Sequence, residues 1–318
     1  MTDKPPHGPK IPLIVLVGPT AVGKTAFSIK LAQKLNGEII SADSVQVYRY
    51  LDIGTAKPTT EEKSQVAHHL IDVVDPSVNF TVYDFQMLAR KKIDEIHARS
   101  KLPVLTGGTG FYVKAVLDGF SFSSGKSNVQ VRKRLQDVLL ARGKDYLYHL
   151  LQEQDPQSAK HIHPNDVKRV MRALEFFYLT GEPIRVQKER TEKKDSPYKP
   201  LYFGLYMNRE QLYDRINRRV ESMIKKGLLS EVKGLLHNGY NKNMKALQAL
   251  GYRHMIAYLE GELSWENALL LLKRDTRRYA KRQLTWFCAD PRIRWSHIKT
   301  GENINKYLEN ISTQLAGH

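Results

Sequence analysis

The chain has 318 residues, and 50 Lys and Arg against 33 Asp and Glu give a formal net charge of +17. That length holds one large core with a smaller unit, or two ordinary domains, and a charge of that size points to an anionic partner, most directly nucleic acid. The single cysteine, Cys288, excludes an internal disulfide and a thiolate metal cluster.

No stretch approaches the roughly 18 uncharged apolar residues of a membrane span, and MTDKPPHGPK at the start lacks an apolar signal core. No membrane association is expected. With neither a coiled-coil pattern nor an exposed apolar seam, a cytoplasmic monomer is expected.

After a proline-bearing arm over residues 1–10, the run Ile11 to Val17 reads as a buried strand. It leads into Gly18-Pro19-Thr20-Ala21-Val22-Gly23-Lys24-Thr25, a G-x-x-x-x-G-K-[ST] phosphate loop between strand and helix. Backbone N–H groups there curl around an anion, Lys24 serves its outer phosphates, and the Thr25 hydroxyl can reach Mg²⁺. The pattern leaves the phosphate unspecified: nucleotides, diphosphate esters and pyrophosphate all satisfy it.

A helix follows from Thr25 to Leu35, stopped by Asn36-Gly37, and Glu38 to Ser41 is a short strand delivering Asp43 and Ser44. Residues 45–64, with Gly54 and Pro58, read as a loop over the sheet edge. His69 to Val74 reads as another strand, and Tyr83 to Ala98 as a helix capped by Thr81 with Asp84, Phe80 stapling Phe85. Leu102 to Leu105 is a strand ending in TGGTG at 106–110. This alternation predicts an α/β fold with a parallel sheet, like other phosphate-loop proteins.

From Val131 to Thr180 every strong pattern is helical, most clearly at Asp166 to Leu179, where Val167, Val170, Met171, Leu174, Phe177 and Tyr178 share one broad side. Residues 187–200 read as a charged linker, and Leu201 to Met207 as a core strand. The pattern predicts a helical insertion over 118–200 inside a core made of 1–117 and 201–318. Helices follow at 208–226, 229–237, 244–260 and 264–287, and residues 268–299 hold nine Lys or Arg against two Asp.

Four groups of residues could carry chemistry. Asp43, at the strand edge beside the phosphate loop, could hold Mg²⁺ through water, accept a proton, or cap its own loop. Beside it, Ser44 and Gln46 could read a base edge or stabilise the loop. Thr109 either meets a ligand or shapes a tight turn. Arg209, Arg215 and Arg219 suit a diphosphate, or else form a solvated face paired to Glu210, Asp214 and Glu221. Arg274, Arg277, Arg278, Lys281 and Arg282 recur at helical spacing as an outward basic ridge, with Tyr279, Gln283 and Trp286 able to meet an unpaired base. His68-His69 and His161/His163 lack metal-ligand spacing.

Six strings in order along nearly the whole chain resemble the bacterial tRNA dimethylallyltransferases, also called tRNA isopentenyltransferases. They are GPTAVGKT at 18–25, ISADSVQVYRYLDIGTAKP at 40–58, GGTGFY at 107–112, HPNDVKRVMRALE at 163–175, LGYRHM at 250–255 and KRQLTWF at 281–287. The resemblance implies transfer of a dimethylallyl group from dimethylallyl diphosphate to N6 of the adenosine 3′ of the anticodon. It implies Asp43 as general base, Lys24, Thr25 and Mg²⁺ on the diphosphate, Arg215 neutralising it with help from Arg209, and Thr109 in the same region. It further implies Asp43, Ser44, Val45 and Gln46 at the target base. Asp166, Val167, Lys168, Arg169 and Val170 would lie near the anticodon stem-loop, and Arg278, Lys281, Arg282 and Gln283 along the RNA. A small-molecule kinase and an RNA-binding ATPase are the competing classes.

Overall fold

Alternate residues of β1 (Ile11–Val17) feed opposite cores, Leu13, Val15 and Val17 on one face and Ile14 and Leu16 on the other. Such a strand must be covered on both sides, the condition of a parallel sheet. In a computed structural model, which describes residues 10–118, 129–186, 196–298 and 309, β1 lies inside a six-stranded sheet. The other strands are β2 (Gly37–Ser41), β3 (His68–His69), β4 (Leu102–Gly107), β5 (Tyr198–Tyr206) and β6 (Arg294–His297). Their order is β3-β2-β4-β1-β5-β6 and every pairing is parallel.

The chain leaves β1 for β2 on the far side of β4, and later returns to lay β5 along β1's other edge. That reversal beside β1 is where ligands bind in open α/β sheets, just past the carboxyl ends of the strands. One face is covered by α3 (Val82–Ala98), α4 (Gly110–Leu117) and C-terminal helices, the other by α1 (Lys24–Lys34) and α8 (Arg209–Lys225). The remaining helices of this part are α2 (Thr60–Gln65), α9 (Leu228–His237), α10 (Tyr252–Leu259) and α11 (Trp265–Cys288).

The chain divides into two compact units, residues 1–117 with 197–318, and residues 118–196. In the second, α5 (Val129–Gln154) breaks at Gly143, α6 spans Pro156–Ala159, and α7 spans Val167–Thr180. Leu135, Leu147, Leu151, Ala159, Val170, Ala173 and Leu174 form its own core.

Several expectations are corrected. His69 to Val74 is no continuous strand: β3 has two residues, and Leu70 and Asp72 turn left-handed at φ 63° and 58°. Residues 45–64 contain α2, capped by Thr59 and Glu62 in a reciprocal capping box. The helix expected over 244–260 begins only at Tyr252. β5 starts at Tyr198, inside the stretch read as linker, and accommodates Pro200 because β6 pairs only with Phe203 to Tyr206, leaving that flank without a partner strand. On α7, Ala173 and Phe176 join the buried side while Tyr178 turns out to solvent. Residues 1–9 of the arm, residues 119–128 and most of the linker (187–195) lie outside the described residues.

Candidate active site

Three loops meet at the carboxyl edge of β1, β2 and β4. The phosphate loop curls through left-handed backbone at Ala21 (φ 66°) and Gly23 (φ 106°), the kind of alternation that turns successive N–H groups toward one point. Lys24, the first residue of α1, donates through Nζ to the Gly18 and Pro19 carbonyls at 2.9 and 2.8 Å. Val22 packs into the core, and Pro19 is held in the loop by the Val22 N–H.

Arginines of α8 stand over this loop. Arg219 reaches Thr20 Oγ1 at 3.3 Å, and the Arg215 guanidinium lies over Gly23, 3.6 Å from where a Cβ would sit. Burial first, then the Arg219 charge, draw the Lys24 ammonium down to about 7, against an opposing pull from Asp43. Burial and the Arg215 charge likewise lower Arg219, and burial and Arg218 lower Arg215. Cations crowded under partial burial disfavour their own charged forms, and an anion among them reverses that.

Asp43 lies past the end of β2. Its Oδ1 accepts from the Val45 and Gln46 N–H groups at 2.8 and 3.2 Å, so it does cap its own loop. Among the described residues Oδ2 has no hydrogen-bond partner. Asp43 lines a cavity of about 620 Å³ together with Thr20, Gly23, Lys24, Thr25, Arg215 and Arg219.

Thr109 works behind this cavity. Its N–H donates to the Ala42 carbonyl at 3.2 Å and its Oγ1 accepts from the Ser44 N–H at 3.0 Å, tying the β4 loop to the β2 loop. The Gln46 side chain accepts from Ser41 Oγ and donates to the Thr55 and Ala56 carbonyls at 3.2 and 3.3 Å, fixing the 52–58 loop at the rim. That loop is held from outside by Glu231 of α9, which accepts from the N–H groups of Asp52, Ile53 and Gly54 and from the Tyr252 hydroxyl.

α11 supplies the roof. Gln283, expected on the RNA-facing ridge, is instead buried and lines the cavity. Its Nε2 donates to the Gly108 carbonyl at 2.9 Å, an approach that leaves only 2.2 Å for a Cβ on Gly108. Tyr279 also lines the cavity, its phenol pushed well above the usual range by burial and by Asp43. Arg277 turns toward α8, donating to Asn217 Oδ1 at 2.8 Å, so it leaves the ridge as well. Arg278, Lys281 and Arg282 are exposed.

Arg209 does not line the cavity and lies over the Tyr213 ring. Val45 packs against the main core. In the helical unit, Asp166 caps α7 by accepting from the Arg169 N–H. Val170 is 1% exposed and Val167 packs against the same core, which leaves Lys168 and Arg169 as the outward pair. Thr106, in the TGGTG turn with Thr109, lines the cavity, and its buried hydroxyl has no hydrogen-bond partner among the described residues. His68, which lacks metal-ligand spacing, also lines the cavity; its Nδ1 pairs with the Val66 carbonyl at 2.8 Å, and burial lowers the ring's affinity for a proton. Arg219 was signalled by its spacing of one turn from Arg215.

A family model described as IPP transferase matches residues 46–290. The chain belongs to the IPP transferase family. Similar relatives include the tRNA dimethylallyltransferase of Carboxydothermus hydrogenoformans, 49% identical over 95% of this chain and 96% of that protein, and that of Alkaliphilus metalliredigens, 49% identical over 96% and 97%. Among solved structures, the full-length tRNA isopentenylpyrophosphate transferase of Bacillus halodurans superposes with TM-score 0.71 at 44% identity, over 97% of this chain and all of that one. A eukaryotic dimethylallyltransferase captured acting on tRNA gives TM-score 0.79 at 30% identity, over 96% of this chain and 77% of that one. The IPP transferase match starts at Gln46, so the phosphate loop and Asp43 precede it and stand on their own geometry.

Proposed function

We propose that this chain transfers the dimethylallyl group of dimethylallyl diphosphate to N6 of the adenosine 3′-adjacent to the anticodon (A37), in tRNAs reading codons that begin with U. The products are N6-(dimethylallyl)adenosine and diphosphate. The observation that carries the residue roles is that Lys24, Arg215, Arg219 and Asp43 line one cavity: three cations for a leaving diphosphate and one carboxylate for a proton.

The diphosphate lies against the phosphate-loop N–H groups, Lys24, Arg215 and Arg219. The N6 lone pair forms a bond to the allylic carbon as the carbon–oxygen bond breaks, and the oxygen leaves with its electron pair. Negative charge grows on the diphosphate, where the fixed donors and cations stabilise it. The N6 proton passes to Asp43 Oδ2, the oxygen its own loop does not occupy. The adenine amine is a weak nucleophile because its lone pair spreads into the ring, so holding it unstacked beside a carboxylate supplies both orientation and proton removal. Thr109 and Gln283 act by positioning the loops around these groups.

The donors fit Mg²⁺. Thr25 and Asp43 line the cavity, and among the described residues no three His, Cys, Asp or Glu form a cage of their own. That suits a hard cation held through substrate phosphates and a few protein oxygens. When bound, Mg²⁺ would neutralise charge on the departing diphosphate.

The RNA is assigned to the exposed cations: Lys168 and Arg169 of the helical unit, and Arg278, Lys281 and Arg282 of α11. Among the described residues no helix is long and apolar enough to cross a membrane, and on this reading the protein acts as a cytoplasmic monomer. The test is label transfer from dimethylallyl diphosphate, with Mg²⁺, to tRNA lacking the modification, followed by nucleoside analysis. Label in N6-(dimethylallyl)adenosine is expected. Unlabelled RNA, with the γ-phosphate of ATP moving to a small molecule, would return the chain to the kinases.

A further inference from the structure

At the corner where α10 meets α11, one carboxylate gathers an unusual number of cations. Asp275 Oδ2 accepts from Arg253 Nη2 at 2.8 Å and from His254 Nε2 at 3.3 Å. Its Oδ1 accepts from Arg274 Nε at 3.0 Å, with Arg278 Nη1 at 3.9 Å. The carboxylate is mostly covered, at 18% exposure, whereas Arg253, Arg274 and Arg278 are 43%, 44% and 62% exposed. His254 is buried and held neutral, since burial lowers its affinity for a proton, so it orients the carboxylate without adding charge.

The chemistry of this cluster is unbalanced. Three guanidiniums around one carboxylate leave two positive charges uncompensated, and the described residues supply no second acceptor. Each guanidinium has five N–H donors in a planar fork. Asp275 occupies Nε of Arg274 and one terminal nitrogen of Arg253, and the remaining N–H groups are left to meet phosphate oxygens in pairs. The carboxylate thus fixes the rotamers of long side chains that would otherwise lose entropy on binding. The neighbouring cations are committed elsewhere: Lys273 pairs with Glu221 at 2.6 Å, and Arg277 with Asn217.

We propose that Arg253, Arg274 and Arg278, splayed on Asp275, form a clamp for a phosphodiester of the bound RNA. The site rests on the RNA substrate proposed above and extends it. Arg278, Lys281 and Arg282 continue the same exposed line along α11 toward Gln283. At about 1.5 Å per residue, Arg274 stands roughly 13 Å along the helix from that cavity residue. The clamp therefore grips backbone away from the reacting base, and contributes register and affinity without reading sequence.

The test is tRNA binding at several salt concentrations. Arg253→Gln is expected to weaken binding about 3- to 10-fold and to reduce the slope of log affinity against log salt by about 0.7 to 0.9. Asp275→Asn is the sharper probe. It makes the protein more positive, so simple charge attraction predicts tighter binding, whereas loss of the organising carboxylate predicts binding at least about threefold weaker. Melting temperature and affinity for dimethylallyl diphosphate check that each variant is folded, and if Asp275→Asn does not fold, Arg253→Gln decides alone. Tighter binding by Asp275→Asn, or an unchanged salt slope in Arg253→Gln, overturns the clamp and leaves the proposed function standing. An unaltered protein that binds no tRNA overturns the proposed function and the clamp with it.

Discussion

The side-chain oxygen of Gln283 accepts the backbone N–H of Thr20 at 2.8 Å across 263 residues of sequence, while its amide nitrogen holds Gly108. One side chain from α11 thereby braces the phosphate loop and the β4 loop at once. Gln283→Ala is expected to cut kcat/KM for dimethylallyl diphosphate about tenfold, through loop misplacement. Gln283→Glu keeps the shape but sets an oxygen against the Gly108 carbonyl and an anion near the diphosphate, so its loss is larger, roughly 10²-fold. Steady-state kinetics on the two variants check this order, and a Glu variant more active than Ala would refute the bracing role.

Asp43→Asn is a clean probe of the proton acceptor, because the amide oxygen can still accept from Val45 and Gln46 and keep the turn. Single-turnover transfer is expected to fall about 10²-fold or more, with tRNA affinity nearly unchanged. Weakened binding at an undiminished single-turnover rate would remove Asp43 from the chemical step.

Lys24 couples substrate binding to pH. In the free protein its ammonium is drawn down to about 7, and a bound diphosphate favours the charged form and raises it. Binding at pH 8 is therefore accompanied by proton uptake, and affinity is flat below about 7 and declines above it, by up to about tenfold per pH unit. Calorimetry in two buffers of different ionisation enthalpy measures the uptake. Lys24→Ala should abolish it together with most of the affinity, and no uptake at pH 8 would contradict the assignment.

Glu38 gives a separate pH signature, in stability. It is 5% exposed and its carboxylate meets Arg99 at 2.7 Å, Lys101 at 2.9 Å and His69 at 2.7 Å. Burial resists its ionisation, but bonds to Lys101, His69 and Arg99 prevail and hold it at about 2, against 4.5 ordinarily. A depressed carboxylate stabilises the fold above its unfolded value, and that contribution disappears as pH falls from about 4.5 toward 2. Glu38→Gln should lower the urea midpoint at pH 7 and converge on the parent protein near pH 2; a constant gap would count against it.

Glu231 tests the rim. It satisfies three backbone N–H groups of the 52–54 turn and the Tyr252 hydroxyl, so Glu231→Leu leaves donors unmet and should cost about 2–4 kcal/mol of stability. Glu231→Gln keeps some acceptor capacity and should cost less. Denaturant melts of both variants give the comparison.

The sheet was legible because its signals are local. Alternate burial in Ile11 to Val17, the Thr81–Asp84 cap and the glycine-bounded loop at 18–25 each need only a few neighbouring residues. Where the reading slipped, distant contacts decide. Gln283 and Arg277 sit on a helix whose sequence says basic and exposed, yet Gly108 and Asn217, far away in the chain, draw them inward. His69 to Val74 has strand composition, but left-handed backbone at Leu70 and Asp72 bends it away directly after His69. Arg219 lies one turn from Arg215 on α8, whereas Arg209 opens that helix. Their places along the helix separate the two: Arg219 lines the cavity and Arg209 stacks on Tyr213.

The distance between Thr20 and Gln283 also sets an order of events during synthesis. At about 5–20 residues per second, the 263 residues between them take on the order of 10 to 50 s to be made. β1 likewise waits for β5 at Tyr198 before its second edge is paired. A growing or truncated chain thus carries the anion-binding sequence without the braced loop that uses it. A chain that stops short of Gln283 is therefore expected to lack the brace on Thr20 and Gly108 that the full site uses.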